Sequence, residues 1–215
     1  MTTHNGGQPC HTLTEFVRTI AAGKVAAALR LLAGSPALAS ARMEMGATRH
    51  AAKAYYLDEI EHYMYAGDTA LHVAAAAYQQ QTVRKLIGAG ADVRARNRHG
   101  AEPLHYAADG MPGSRAWNPR AQAATVACLI EAGADPNAID NRGVTPLHRA
   151  VRTRCAAAVS ALLNGGADAR RKNKSGSTPM KLATHTTGRG GTGSPEAKAQ
   201  QDEVVRLLRQ CNSAR

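Results

Sequence analysis

Three histidines, His72, His105 and His148, each follow a leucine in the same local setting. Aligned imidazoles suggest a metal site, because neutral histidine is a common ligand. His4, Cys10 and His11 could also hold a metal near the N-terminus, but no fourth ligand is apparent there. The string Gly188-Arg-Gly-Gly-Thr-Gly-Ser194 comes close to a phosphate-binding loop. It has no lysine before Ser194 and follows a helical pattern rather than a strand, so nucleotide hydrolysis is rejected. What remains is a flexible hinge, or an anion contact in which Arg189 and the glycine backbone face the helix start at Ser194-Pro195-Glu196. No Ser-His-Asp order, paired carboxylates or His-Glu-x-x-His motif is recognisable. The expectation is a protein that is not an enzyme, with no catalytic residue and no cofactor.

Composition narrows what must position these residues. The chain has 215 residues, one Phe and one Trp, so its core must be built from Ala, Leu and Val. That suits thin, closely stacked helices. The net charge of +11 predicts attraction to acidic surfaces, nucleic acid included, but does not bear on fold. No stretch approaches the roughly 18 apolar residues of a membrane span. Residues 1–12 are polar, read as a disordered tail, and lack the regions of a secretory signal, so a cytoplasmic protein is expected. Cys10, Cys128, Cys155 and Cys211 lie far apart, which reads as free thiols in a reducing compartment.

The histidines belong to a repeat. Gly67-Asp-Thr-Ala-Leu-His72, Gly100-Ala-Glu-Pro-Leu-His105, Gly143-Val-Thr-Pro-Leu-His148 and Gly176-Ser-Thr-Pro-Met-Lys181 align, at intervals of 33, 43 and 33 residues. A second block recurs in phase: Val83-x-x-Leu86-Ile87, Val126-x-x-Leu129-Ile130, Val159-x-x-Leu162-Leu163 and Val204-x-x-Leu207-Leu208. Three copies run into Gly-Ala-Asp at 90–92, 133–135 and 166–168. Thr145-Pro146 and Thr178-Pro179 read as helix starts, a hydroxyl cap followed by a proline whose missing N–H costs nothing in the first turn. Gly90, Gly133 and Gly166 read as left-handed helix ends. Asn97, Asp140 and Asn173, each three residues before a repeat glycine, read as β-turn starts. Each unit is therefore turn, helix, loop, helix and extended finger.

The Thr-Pro-Leu-His and Gly-Ala-Asp blocks at this period resemble the ankyrin repeat. The resemblance implies an all-α solenoid of stacked helix-turn-helix units with hairpin-like finger loops. It divides the chain into a degenerate capping repeat at 13–42, a tyrosine-rich insertion at 43–66, and repeats at 67–97, 98–141, 142–173 and 174–215. It also gives the recurrent histidine a structural role, bonding within and between units, in place of a metal. Lys181 in the histidine's position then implies a less tightly tied last unit. Ala70 and Glu102 depart from the usual proline and threonine.

Three interruptions mark possible binding loops. The 43–66 segment carries four of the six tyrosines, Tyr55, Tyr56, Tyr63 and Tyr65; Leu57, Ile60 and Met64 suggest a short helical turn that either covers the first units' core or forms a partner hot spot. Residues 110–120 carry Trp117, an interface anchor or a ring folded back onto its helix pair. Residues 187–196 carry Arg189. Ankyrin geometry would place the second and third interruptions at one edge, where Arg115, Arg120, Arg152, Arg154 and Arg189 form a basic rim around Trp117. Aligning the first helices gives a concave-face column, Ala76, Asp109, Arg152 and His185, with an Asp109–Arg152 ion pair expected, and a neighbouring column of Val73, Tyr106, Arg149 and Leu182. Arg94, Arg96, Arg98 and His99 charge one finger, and Arg170, Arg171, Lys172 and Lys174 another. The expected function is a monomeric protein-interaction module for a partner with an acidic surface. Its binding residues would be Tyr106, Asp109, Trp117, Arg149, Arg152, His185 and Arg189. Nucleic-acid or phospho-ligand binding by the fingers and glycine loop is the alternative.

Overall fold

The computed structural model describes residues 8–185 and 195–213, with side chains from residue 13 onward. Helices come in pairs: α1 (Gln8–Ala21) with α2 (Val25–Gly34), α3 (Ala70–Ala76) with α4 (Gln80–Gly88), and α5 (Pro103–Ala108) with α6 (Pro119–Glu131). Then follow α7 (Pro146–Arg152) with α8 (Ala156–Asn164) and α9 (Pro179–Thr184) with α10 (Pro195–Ser213). The first helices form one layer, α1 on α3, α3 on α5, α5 on α7 and α7 on α9. The second helices form the other, α2 on α4, α4 on α6, α6 on α8 and α8 on α10. The expected all-α solenoid is the fold observed.

The repeated sequence blocks explain the stacking. Leu71, Leu104 and Leu147 at the first-helix position are fully buried, as are Val83, Leu86, Val126, Leu129, Val159 and Leu162 of the second-helix stripe. Burying each such side chain stabilises by roughly 1.5–3 kcal/mol, and no unit can bury both faces without its neighbours. In α10 the stripe shifts by one residue, burying Val204 and Leu208 and leaving Leu207 half-buried. Small alanines in the first helices, Ala74, Ala107 and Ala150 among them, are buried too and let the layers approach closely.

The turns follow one hydrogen-bond scheme. Asn97, Asp140 and Asn173 accept at their backbone carbonyls from Gly100, Gly143 and Gly176, at 2.8, 2.9 and 2.9 Å. Their side-chain Oδ1 atoms accept from the N–H groups two and four residues on: His99 and Ala101, Arg142 and Val144, Ser175 and Ser177. Gly90, Gly133 and Gly166 have φ of 92, 96 and 92°, the left-handed conformation that ends the second helix.

Two segments differ from expectation. α1 starts at Gln8, inside the stretch read as a disordered tail. The tyrosine-rich insertion is a β-hairpin rather than a helical turn: β1 (Tyr56–Leu57) pairs antiparallel with β2 (His62–Tyr63), closed by a 3₁₀ turn over Asp58–Ile60. Leu57 and Met64 alternate inward from the hairpin and are buried in the shared core, while Tyr56 and Tyr63 stack outside at 4.7 Å. Apolar spacing alone does not separate a short twisted hairpin from a helical turn.

Candidate binding surface

The recurrent histidines come first, because they set the first helices in place. Thr69, Glu102 and Thr145 donate their backbone N–H to Nδ1 of His72, His105 and His148, at 3.1, 3.1 and 3.3 Å. An accepting Nδ1 puts the proton on Nε2. Nε2 then donates across to the next unit, to the carbonyls of Ala101, Val144 and Ser177 at 3.1, 3.0 and 3.0 Å. Both ring nitrogens are thus engaged with protein. Burial lowers all three pKa values, that of His105 to about 3, so the imidazoles stay neutral. In the last unit Thr178 still caps α9, accepting from the Lys181 N–H at 3.2 Å. In place of an imidazole bridge, α10 supplies Gln200, which accepts from the Ala156 N–H at 3.1 Å, and Gln201, which donates to the Ala183 carbonyl.

Glu102 is the departure with a consequence. It caps α5 in place of threonine, but its Oε2 is buried without a partner, and desolvation pushes its carboxyl up to about 7.

Tyr106 and Arg149, of the column beside the concave one, are more buried than their spacing suggests. Tyr106 is 2% exposed, and its hydroxyl donates to the buried Asp68 carboxylate at 2.8 Å. Asn97 Nδ2 donates to the same carboxylate at 2.9 Å. Tyr106 is therefore a core residue in a polar network and is not a contact open to a partner. The insertion covers it: the His62 ring sits 4.4 Å from the Tyr106 ring. His62 was not foreseen as a site residue, since nothing around it in the sequence distinguishes it. Its Nε2 is buried without a partner and burial lowers its pKa.

Arg149 is also drawn inward, with 13% of its side chain exposed. It bonds Asp109 at 2.8 Å and Asp140 at 3.4 Å. Asp109 does meet Arg152, but at 3.9 Å. The expected pair exists, and the stronger partner comes from the neighbouring column. Arg152 keeps 44% of its side chain exposed. His185 is exposed and, among the described residues, bonds only locally, Nδ1 lying 3.0 Å from the Lys181 carbonyl. Arg189 and residues 186–194 lie outside the described residues, so the anion-contact reading of the glycine loop and the third corner of the basic edge do too.

Trp117 folds back onto its helix pair. Its Nε1 donates to Gln122 Oε1 at 2.9 Å. Gln122, fully buried on α6, donates in turn to the carbonyls of Ala107 and Asp109 at 3.0 and 3.1 Å. Tyr78, in the left-handed region with φ of 54°, reaches across units to donate to the Asp109 carbonyl at 2.6 Å. A left-handed tyrosine carries no sequence signal, and this one was missed. Together these contacts hold the base of the 110–117 loop against its own helix pair and the second unit. Between that loop, the hairpin tip and the inter-helix turns of the first, second and fourth units lies a trough of about 810 Å³. Trp117, Arg152 and Asp109 all line it.

The finger arginines act largely as ties. Arg94 donates to the Gly133 carbonyl at 3.0 Å, Arg96 to Ile139 at 2.6 Å, and Arg98 to Ala47. Each spans from one unit to a neighbouring segment. Lys172, Lys174 and Arg142 are exposed and make no side-chain bond among the described residues.

The ankyrin-repeat family model matches residues 66–98 and 99–141, and a model of ankyrin repeats in many copies matches 129–183. The matches span more than half of the chain, which belongs to the ankyrin-repeat family. Such repeats are generally protein–protein interaction modules, and proteins built from them are typically non-enzymatic scaffolds. No curated protein matches the chain. No helix among the described residues is long and apolar enough to cross a membrane.

Proposed function

We propose that this chain is a protein-interaction module whose partner meets the inter-helix edge and the basic fingers of the third and fourth units. The observation that carries this reading is the edge itself. Chain-specific insertions, braced by Gln122 and Tyr78, build a stable concave surface there from an otherwise regular repeat. Asp109, Trp117 and Arg152 face that surface, and His185 and Arg189 belong to the next unit along. Tyr106 and Arg149 support it from behind. Arg142, Lys172 and Lys174 offer uncompensated charge to an acidic partner.

Affinity purification from the native host with mass spectrometry tests the reading. A stoichiometric protein partner should be recovered, and its capture should weaken with Arg142→Glu, Lys172→Glu and Lys174→Glu combined. Recovery of no protein partner overturns it. The same three cations favour the second reading, a phosphate-rich ligand such as nucleic acid, whose affinity would fall steeply with salt. Absence of binding to DNA or RNA at low salt removes that alternative.

A further inference from the structure

We infer that the trough beside Trp117 is a docking site for an extended segment of a partner protein, one that presents an apolar side chain between an acidic and a basic residue. The inference rests on the interaction-module reading and names the partner's local chemistry.

Its volume of about 810 Å³ falls within the range of roughly 300–1,000 Å³ typical of binding pockets. Its lining comes from four successive inter-helix regions, Gly23, Ala77, Gly110 and Thr153 marking them in order. A site that crosses units in this way fits an extended chain. The apolar surface is concentrated: Ile60 from the hairpin, Trp117 and Met111 from the 110–117 loop. Met111 is 58% exposed and offers a flexible apolar seat for a side chain.

The charges at this rim are mixed. The hairpin tip brings Glu59 and Glu61, both exposed and without an ion-pair partner among the described residues. The fourth unit brings Arg152, whose nearest carboxylate, Asp109, is already held by Arg149 at 2.8 Å. A chain with net charge +11 attracts polyacids over its whole surface. The two glutamates at this rim repel them. A segment with an acid for Arg152, a base for the glutamates and an apolar residue between satisfies all three surfaces, whereas a uniformly acidic one satisfies a single surface.

A random peptide library displayed against the full chain is the probe. Selected peptides should share an acidic, apolar, basic pattern in either chain direction. Binding should quench or shift the emission of Trp117, the single tryptophan. Arg152→Glu, and separately Glu59→Lys with Glu61→Lys, should each weaken a selected peptide about tenfold. Reselection on Arg152→Glu should exchange the acidic residue for a basic one. Met111→Arg, which blocks the trough from a solvent-exposed position, should also abolish binding while the circular dichroism is unchanged. Selected peptides with no shared pattern, or peptides that bind these variants as they bind the parent chain, overturn the proposal. If a partner captured from the host is retained by the Arg152→Glu and Glu59→Lys/Glu61→Lys variants, the trough assignment fails and the interaction module stands. If no protein partner is captured at all, the broader reading fails first.

Discussion

At the scale of single residues, Glu102 and Tyr106 show how a repeat position can change chemistry without changing place. Glu102 does the capping work of a threonine but leaves one carboxylate oxygen buried and unpaired, an arrangement that costs about 1–3 kcal/mol. Glu102→Thr should therefore raise the urea midpoint. The gain should depend on pH. A carboxyl whose pKa is raised to about 7 in the folded state contributes stability that is full below its ordinary value and lost as pH rises through 7. The variant's advantage should accordingly be small near pH 4.5 and largest above pH 7; an advantage independent of pH would contradict the assignment. Tyr106→Phe removes a donor from the buried Asp68 carboxylate and should cost about 2 kcal/mol, read as a lower melting temperature. A loss of partner binding in Tyr106→Ala would report damage to the core rather than a lost contact.

At the scale of elements, the histidine bridges tie α3, α5 and α7 each to the finger that follows. Their pKa values are depressed by burial. Neutral burial contributes stability that is present above the ordinary imidazole value of about 6.5 and is lost as pH falls toward the folded value, about 3 for His105. Melting temperature should fall on acidification below 6.5, and more steeply in Glu102→Thr, where the opposing carboxyl is gone. Helix ends give a matched pair of glycines. Gly88 closes α4 at negative φ with open space around it, so Gly88→Ala should stabilise by roughly 0.5–1 kcal/mol. Gly166 has equal space but φ of 92°, so Gly166→Ala should destabilise by about 1 kcal/mol. Chemical denaturation of both variants checks the opposite signs. Gly110 is a third case. A Cβ there would lie 2.8 Å from Cys155 Sγ and from Tyr78 Oη, and 3.0 Å from Trp117 Cδ1. Gly110→Ala should displace the loop and shift Trp117 fluorescence to the red.

At the scale of the whole molecule, regular stacking and irregular insertion divide the labour. The two helical layers bury an aliphatic core that needs almost no aromatic residues. The surface is then free to carry charge, and much of the basic charge on the second finger is spent on ties between units rather than on a partner. Arg142, Lys172 and Lys174, exposed and without a side-chain bond among the described residues, lie on later fingers. Their combined reversal should reduce capture of an acidic partner at low salt and leave melting temperature within about 0.5 kcal/mol equivalent of the parent.

The repeat, its phase, its helix starts and the left-handed helix ends were all legible in the sequence, because each depends on local backbone chemistry that neighbouring residue types report directly. The same holds for the structural histidines once the repeat was recognised. The proposed interaction surface was legible only in outline. Trp117, Asp109 and Arg152 do converge, but which of them a partner can reach depends on contacts between residues far apart in the chain. The hairpin laid His62 over Tyr106 and took it out of solvent. Asp109 and Asp140, both from the unit before its own, drew Arg149 inward, and Tyr78 adopted a strained backbone to reach the next unit's carbonyl. Local rules specify the unit. The tertiary structure alone decides exposure, since burial is a property of how units and insertions meet.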